Sequence, residues 1–268
     1  MNGQNISWTR SDLKWRAKEA FRNNYWAAVL VSLILAIVMA YGGKGAAQSG
    51  ASAAKSDYNY YASIYDSDGV TSYAGHIFRG MNSPWGLILA LAGASAIVAV
   101  ALIGVILHFF VGNVLEVGAR GFYIENLYSK PGIGRVFGAF TSGNYGNVVK
   151  IMFCRDLFTF LWSLLFIIPG IVKSYEYRMV PYLIAEYPNM DRREAFARSR
   201  EMMYGQKWDT FILDLSFILW NTLSALTFGI AGLFYVSPYK DATSAELYDT
   251  LAAGMPGNGP QVYDNGAY

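Results

Sequence analysis

The stretch FIIPGIVKSYEYRMVPYLIAEYPNM, Phe166 to Met190, begins as apolar helix, breaks at Pro169-Gly170, and then carries Lys173, Glu176 and Arg178 through a pattern that still reads as helix. One such charge at the centre of a lone membrane helix costs roughly 2.5–3.5 kcal/mol, so these side chains have to face protein or water and find partners. Lys173 and Glu176 are spaced i, i+3 and can pair with each other. Arg178 points elsewhere, and Asp156 and Asp214, each inside another apolar run, are the available counter-charges for it or for Lys173.

Composition sets the class around this stretch. Of 268 residues 54% are hydrophobic and 15% charged, against about 25% charged in soluble domains. Mean hydropathy is +0.24, and the apolar residues gather into runs. The reading is an all-α, polytopic helical membrane protein. A net charge of +2, with its basic residues clustered beside apolar runs, argues against a nucleic-acid partner and for topology signals. The single cysteine, Cys154, excludes an internal disulfide and leaves no thiolate cluster, and the two histidines, His76 and His108, fall in different compartments. No metal or other cofactor is expected.

Working outward, the upstream apolar segment Val148–Ile168 contains Arg155 and Asp156. Downstream, NMDRREAFARSREMMYGQKW offers Asp191 as a helix N-cap, with Glu194 three residues on. Phe196, Ser199 and Met203 share a face opposite Arg193 and Arg200, which reads as an interfacial amphipathic helix. The last apolar run, Phe211–Tyr239, holds Asp214. Near the start, Leu13, Ala17 and Phe21 form a stripe among Arg10, Lys14, Arg16, Lys18 and Arg22, the pattern of a second interfacial helix whose basic residues meet anionic headgroups. A signal peptide is the alternative, since AIVMA before Tyr41 resembles a cleavage site, but the charged segment ahead of it is long.

The first apolar run, Tyr25–Tyr41, is 17 residues, the short end of the spanning range. Residues 42–83 form a Tyr-, Ser- and Gly-rich loop expected outside the cytoplasm, and its DSDG lacks the remaining ligands of a calcium loop. The strongest run, PWGLILALAGASAIVAVALIGVILHFFVGNVL, repeats small residues at steps of four and three with His108 on the same stripe. That stripe suits close helix packing, with an interhelical hydrogen bond as the expected role of His108. The tail 254–268, rich in Gly, Pro and Asn, is expected to be disordered, which leaves 1–253 as a single helical membrane domain.

The amino-terminal segment has five Lys and Arg, and so does Arg192–Lys207, so both are expected in the cytoplasm. If the segment ending at Ile168 crosses outward, only Ile171–Tyr187 can bring the chain back. That gives about six membrane helices, four strong and two weaker and broken, plus the two interfacial ones; four spans are the fallback. PGIVKSYEYRMVPY is also similar to FGIAGLFYVSPY, each with a glycine break followed by a Pro-Tyr.

The stretch from Ile168-Pro169-Gly170-Ile171 to Trp220, with Pro181-Tyr182, Ser199-Arg200, Met202-Met203, Gly205, Lys207-Trp208 and Ser216-Phe217, resembles a bacterial family of integral membrane proteins known as a domain of unknown function (family 975). LTFGI, PYKDATSAELY and LKWRAKEAFRNNYW share in that resemblance. More loosely, EAFARSREMMYGQKW is similar to the membrane domain attached to some glycerophosphodiester phosphodiesterases. Both resemblances imply a multi-pass protein of the bacterial cytoplasmic membrane, and neither implies a catalytic activity.

No phosphate-cradling loop, HExxH or GxSxG is present. Intramembrane catalysis would have to draw on His108 with Asp156 or Asp214, so no enzyme is expected. Two functions remain. Arg155, Asp156, Lys173, Glu176, Arg178 and Asp214 either line a polar path for transport or membrane permeation, or they pair and hold together a non-transporting protein that organises, protects or regulates another membrane protein.

Overall fold

In a computed structural model, the described residues are 8–41, Ser95, Ala99 and 102–255. All regular elements among them are helical. The Tyr-rich loop, most of the small-residue stripe and the tail beyond Met255 lie outside the described residues. The helices are α1 (Arg10–Asn23), α2 (Tyr25–Tyr41), α3 (Leu102–Glu125), α4 (Gly138–Thr141), α5 (Tyr145–Leu165), α6 (Ile167–Glu176), α7 (Val180–Glu186), α8 (Arg192–Met202), α9 (Lys207–Leu215), α10 (Ile218–Leu226) and α11 (Ser237–Ala253). Two π turns, His108–Gly112 within α3 and Gly232–Val236 before α11, and a 3-10 turn, Ile133–Phe137, complete them.

The chain forms two compact units, Ile37–Phe110 and Met1–Ala36 with Val111–Tyr268. In the smaller unit Leu102, Ile103, Val105, Ile106 and Leu107 are exposed and His108 is buried. The larger unit holds every element discussed below.

There, α1 starts at Thr9, whose hydroxyl accepts from the Asp12 amide at 3.2 Å, and it meets α2 at a bend of 102°. Its stripe Leu13, Ala17 and Phe21 is fully buried, packed against α11. Asp191 caps α8, accepting from the Arg193 amide at 2.8 Å, and α8 buries Ala195, Phe196, Ser199 and Met202. Phe196 meets the rings of Phe158 and Tyr177. Both helices expected to lay their apolar stripes in the headgroup region therefore use them as protein core. A stripe fixes which face is covered; it does not say what covers it.

Two helical hairpins project apolar tips from this core. The first joins α5 to α6, which lie side by side. A side chain at Gly170 would place its Cβ 2.6 Å from Ser163 Cα, so glycine is required for the approach. The second joins α10 to the Gly232–Val236 turn, where a Cβ on Gly232 would strike Ser224 Oγ. Leu164–Ile168 are each 61–75% exposed at the first tip, and Phe228 is 98% exposed at the second. Each returning strand of helix then places Pro-Tyr at the same point. Pro181 and Pro238 are the second residues of α7 and α11, where a missing N–H costs least, and Tyr182 and Tyr239 are buried behind them.

The all-helical architecture is plain among the described residues, while the six spans are not. Among the described residues one helix, Leu102–Glu125, is long and apolar enough to cross a membrane, or two if the bent pair Arg10–Asn23 with Tyr25–Val38 counts as one span. The segments expected to supply the other spans are broken into shorter helices at Phe166, Tyr177–Met179, Ser216–Phe217 and Thr227–Gly229.

Candidate functional site: a layer of ion pairs

In the larger unit, charged side chains of α3, α5, α6, α9 and α11 pair into a layer. Its centre is α3, where Glu116 and Arg120 sit one turn apart at 3.8 Å. Glu116 accepts from Arg155 of α5 at 2.9 Å. Arg155 also donates to Asp156 at 2.8 and 3.0 Å, and Asp156 accepts from Asn113 at 2.8 Å. The Arg155 and Glu116 side chains are each only 10% exposed.

On the other side of α3, Arg120 donates to Asp241 of α11 at 2.7 Å. Asp241 accepts a second bond from Ser32 of α2 at 2.9 Å. The Ser32 and Tyr123 hydroxyl oxygens lie 2.6 Å apart in the interior, so with the Ser32 proton on Asp241 the Tyr123 proton is shared between Ser32 and the Ala28 carbonyl, 2.9 Å away. The Arg120 guanidinium lies 5.4 Å from the Tyr182 ring centre, and Tyr182 stacks on Tyr248, a face on which cations are favoured.

The α6 end carries the remaining pairs. Arg178 grips Asp214 of α9 through both terminal nitrogens and reaches Ser244 of α11 at 3.2 Å. Asp214 also accepts from Tyr175 at 3.0 Å and lies 3.8 Å from Lys240. Glu176 receives Lys173 and Lys207 at 2.8 Å each, while its carbonyl accepts from Ser199 of α8 at 2.8 Å. Lys173 leans over the Trp162 ring.

All six charges singled out in the sequence thus stand in ion pairs. They fall into separate groups: Arg155 with Asp156, Lys173 with Glu176, and Arg178 with Asp214. His108 belongs to none of these pairs; it lies buried in the smaller unit, edge-on to Phe109 at 5.5 Å. The sequence reading does not include Glu116, Arg120 and Asp241, which extend the Arg155–Asp156 group across α3 to α11. The i, i+4 spacing of Arg120 from Glu116 was the available signal that both belong to one helix face.

A cavity of about 550 Å³ opens elsewhere, beneath α3, lined by Gly118, Gly121, Glu125, Arg135 and Glu186 among others. None of the six charges lines it. Outside the layer, Glu246 of α11 is buried near Arg16 at 3.3 Å. Burial pushes its carboxyl up to about 7 despite Arg16, with Asp249 and Asp12 adding to the rise.

Residues 150–254 match the model of a family described as a protein of unknown function (DUF975). No curated protein and no solved structure matches the chain. The matched region contributes Arg155, Asp156, Arg178, Asp214 and Asp241 to the layer, while Glu116 and Arg120 lie before it.

Proposed function

We propose that the chain is a multi-pass protein of the bacterial cytoplasmic membrane, with α2 and α3 crossing it and the amino terminus in the cytoplasm. In this reading it transports nothing and instead organises, protects or regulates another membrane protein. The observation that carries the reading is the pairing of Arg155, Lys173, Glu176, Arg178 and Asp214 with neighbouring side chains, away from the cavity. A transport path needs polar groups that water or solute can reach, whereas charges bonded to one another serve to lock helices together. The membrane setting is supported by the exposed apolar faces of α5 and α10 and by Trp15, Trp26 and Trp208, each 65–69% exposed, as suits side chains at a headgroup boundary. Lys18, Arg22, Arg193 and Arg200 are exposed and would face anionic headgroups or an acidic partner.

In-cell photo-crosslinking tests the reading. A photoreactive residue replacing Tyr60, Tyr65 or Arg193 should give a discrete adduct with one membrane protein, and deleting residues 51–73 should weaken the adduct formed from Arg193. Absence of any adduct, together with saturable solute flux in proteoliposomes that Asp214→Asn abolishes, would establish transport instead.

A further inference from the structure

Measured from the ion-pair layer, neither arm of the hairpin α5–α6 is long enough to cross a hydrocarbon core. Arg155 is bonded to Glu116 and Asp156 to Asn113, which fixes α5 against the cytoplasmic half of α3. A layer with this many charges belongs at the headgroup boundary, since the bilayer centre is where each charge is most costly. The exposed basic residues of α1 and α8, Lys18, Arg22, Arg193 and Arg200, suit the same boundary. Beyond Arg155, α5 runs only to Leu165, about 15 Å at 1.5 Å per residue. The return helix α6 has 10 residues, again about 15 Å. The hydrocarbon core is about 30 Å thick.

The turn itself has the chemistry of hydrocarbon rather than water. Leu164, Leu165, Phe166, Ile167 and Ile168 are all more than 60% exposed, and no polar side chain lies between Ser163 and Lys173. A turn emerging on the far side of a membrane would present polar residues. At the turn the Phe166 amide donates to the Trp162 carbonyl and the Gly170 amide to that of Phe166, both at 3.1 Å. Pro169 has no N–H to leave unpaired. The hydroxyls along the hairpin are also satisfied within their own helices, Thr159 on Arg155 at 2.8 Å, Ser163 on Thr159 at 2.8 Å and Ser174 on Ile171 at 2.7 Å. This is how hydroxyl side chains are accommodated where no water is present. Lys173, the charge nearest the tip, turns back to Glu176, as a snorkelling lysine does.

We infer that α5 and α6 form a re-entrant hairpin whose tip, Leu164–Gly170, is covered by the acyl chains of the cytoplasmic leaflet. It enters from the ion-pair layer, turns near the bilayer midplane and returns to the side it came from. The inference rests on the membrane setting proposed above and replaces two of the six crossings read from the sequence. The second hairpin has a similarly apolar tip, with Thr222 and Thr227 bonded to carbonyls of their own helix.

The test uses the full chain with Cys154→Ala and a single cysteine at Ile168, with Ile167→Cys as a second variant should the first fold poorly. Membrane-impermeant maleimide is applied from each side, and a bimane label is then read in phosphatidylethanolamine–phosphatidylglycerol vesicles containing lipids spin-labelled at graded depths. The expected result is labelling below a tenth of that at a Ser142→Cys cytoplasmic control from either side, and quenching strongest from the deepest spin label. Labelling from outside would overturn the inference by making the hairpin a crossing. Cytoplasmic labelling, or bimane unquenched by any lipid, would overturn it by placing the tip in water or against protein. Alkaline carbonate extraction separates the two levels: a chain that washes off the membrane refutes the membrane setting, whereas an adverse labelling or quenching result in a chain that stays refutes only the hairpin's depth.

Discussion

Arg120 and Asp241, 121 residues apart in sequence, meet at 2.7 Å where α2, α3 and α11 converge. Asp241 also holds Ser32, so one carboxylate ties three helices. Asp241→Ala leaves a guanidinium with Glu116 at 3.8 Å as its remaining ion pair and should cost about 3 kcal/mol, as loss of one partner of a buried pair does. Thermal unfolding of the detergent-solubilised protein should show a drop of about 5–10 °C. Asp241→Asn, which still accepts hydrogen bonds, should lose less.

The Arg178–Asp214 pair calls for a double-mutant cycle. Asp214→Ala and Arg178→Ala should each destabilise by about 2–3 kcal/mol because each strands a partly buried opposite charge. The double variant should cost clearly less than the sum of the two. Additive losses in the same unfolding assay would mean that the two side chains act independently.

The hairpin glycines make a sharper contrast. Gly232→Ala collides with the flexible end of a side chain, Ser224 Oγ, so adding Ser224→Ala should restore most of the lost stability. Gly170→Ala collides with the backbone at Ser163 Cα, 2.6 Å away, and Ser163→Ala should rescue little. Each glycine variant alone should cost about 1–3 kcal/mol, the usual range for overpacking. Equal rescue at both sites would contradict the different origin of the two contacts.

Stability should also depend on pH through Glu246. Burial raises its folded pKa from 4.5 to about 7, so between those values the folded chain binds a proton that the unfolded chain has released. Its contribution is therefore full below about pH 4.5 and is lost as pH rises toward 7. Comparing melting temperatures at pH 5 and pH 7.5, Glu246→Gln should flatten the decline relative to the wild-type chain.

Local features were legible in the sequence to the extent that they depend on neighbours along one helix. The Leu13, Ala17, Phe21 stripe, the Asp191 cap and the Lys173–Glu176 spacing all belong to this kind. What covers a stripe depends on chain segments far away, so α1 was assigned to lipid when α11 was its cover. The layer was half legible for the same reason: each charge inside an apolar run announced its need of a partner, but Glu116, Arg120 and Asp241 become partners only once α3, α5 and α11 pack. Hydropathy also counts apolar length without direction, and so it cannot separate a crossing from a hairpin that turns back at Phe166.

The order in which the layer is assembled follows from the order of the chain. Arg120, Arg155 and Arg178 leave the ribosome well before Asp214 and Asp241, and α11 is the final helix among the described residues. A chain that stops short of α11 therefore carries Arg120 without its nearest carboxylate and Ser32 without its acceptor. The newest helix thus completes the charge balance of the oldest ones, and an interrupted chain is left with a cation that only its last helix neutralises directly.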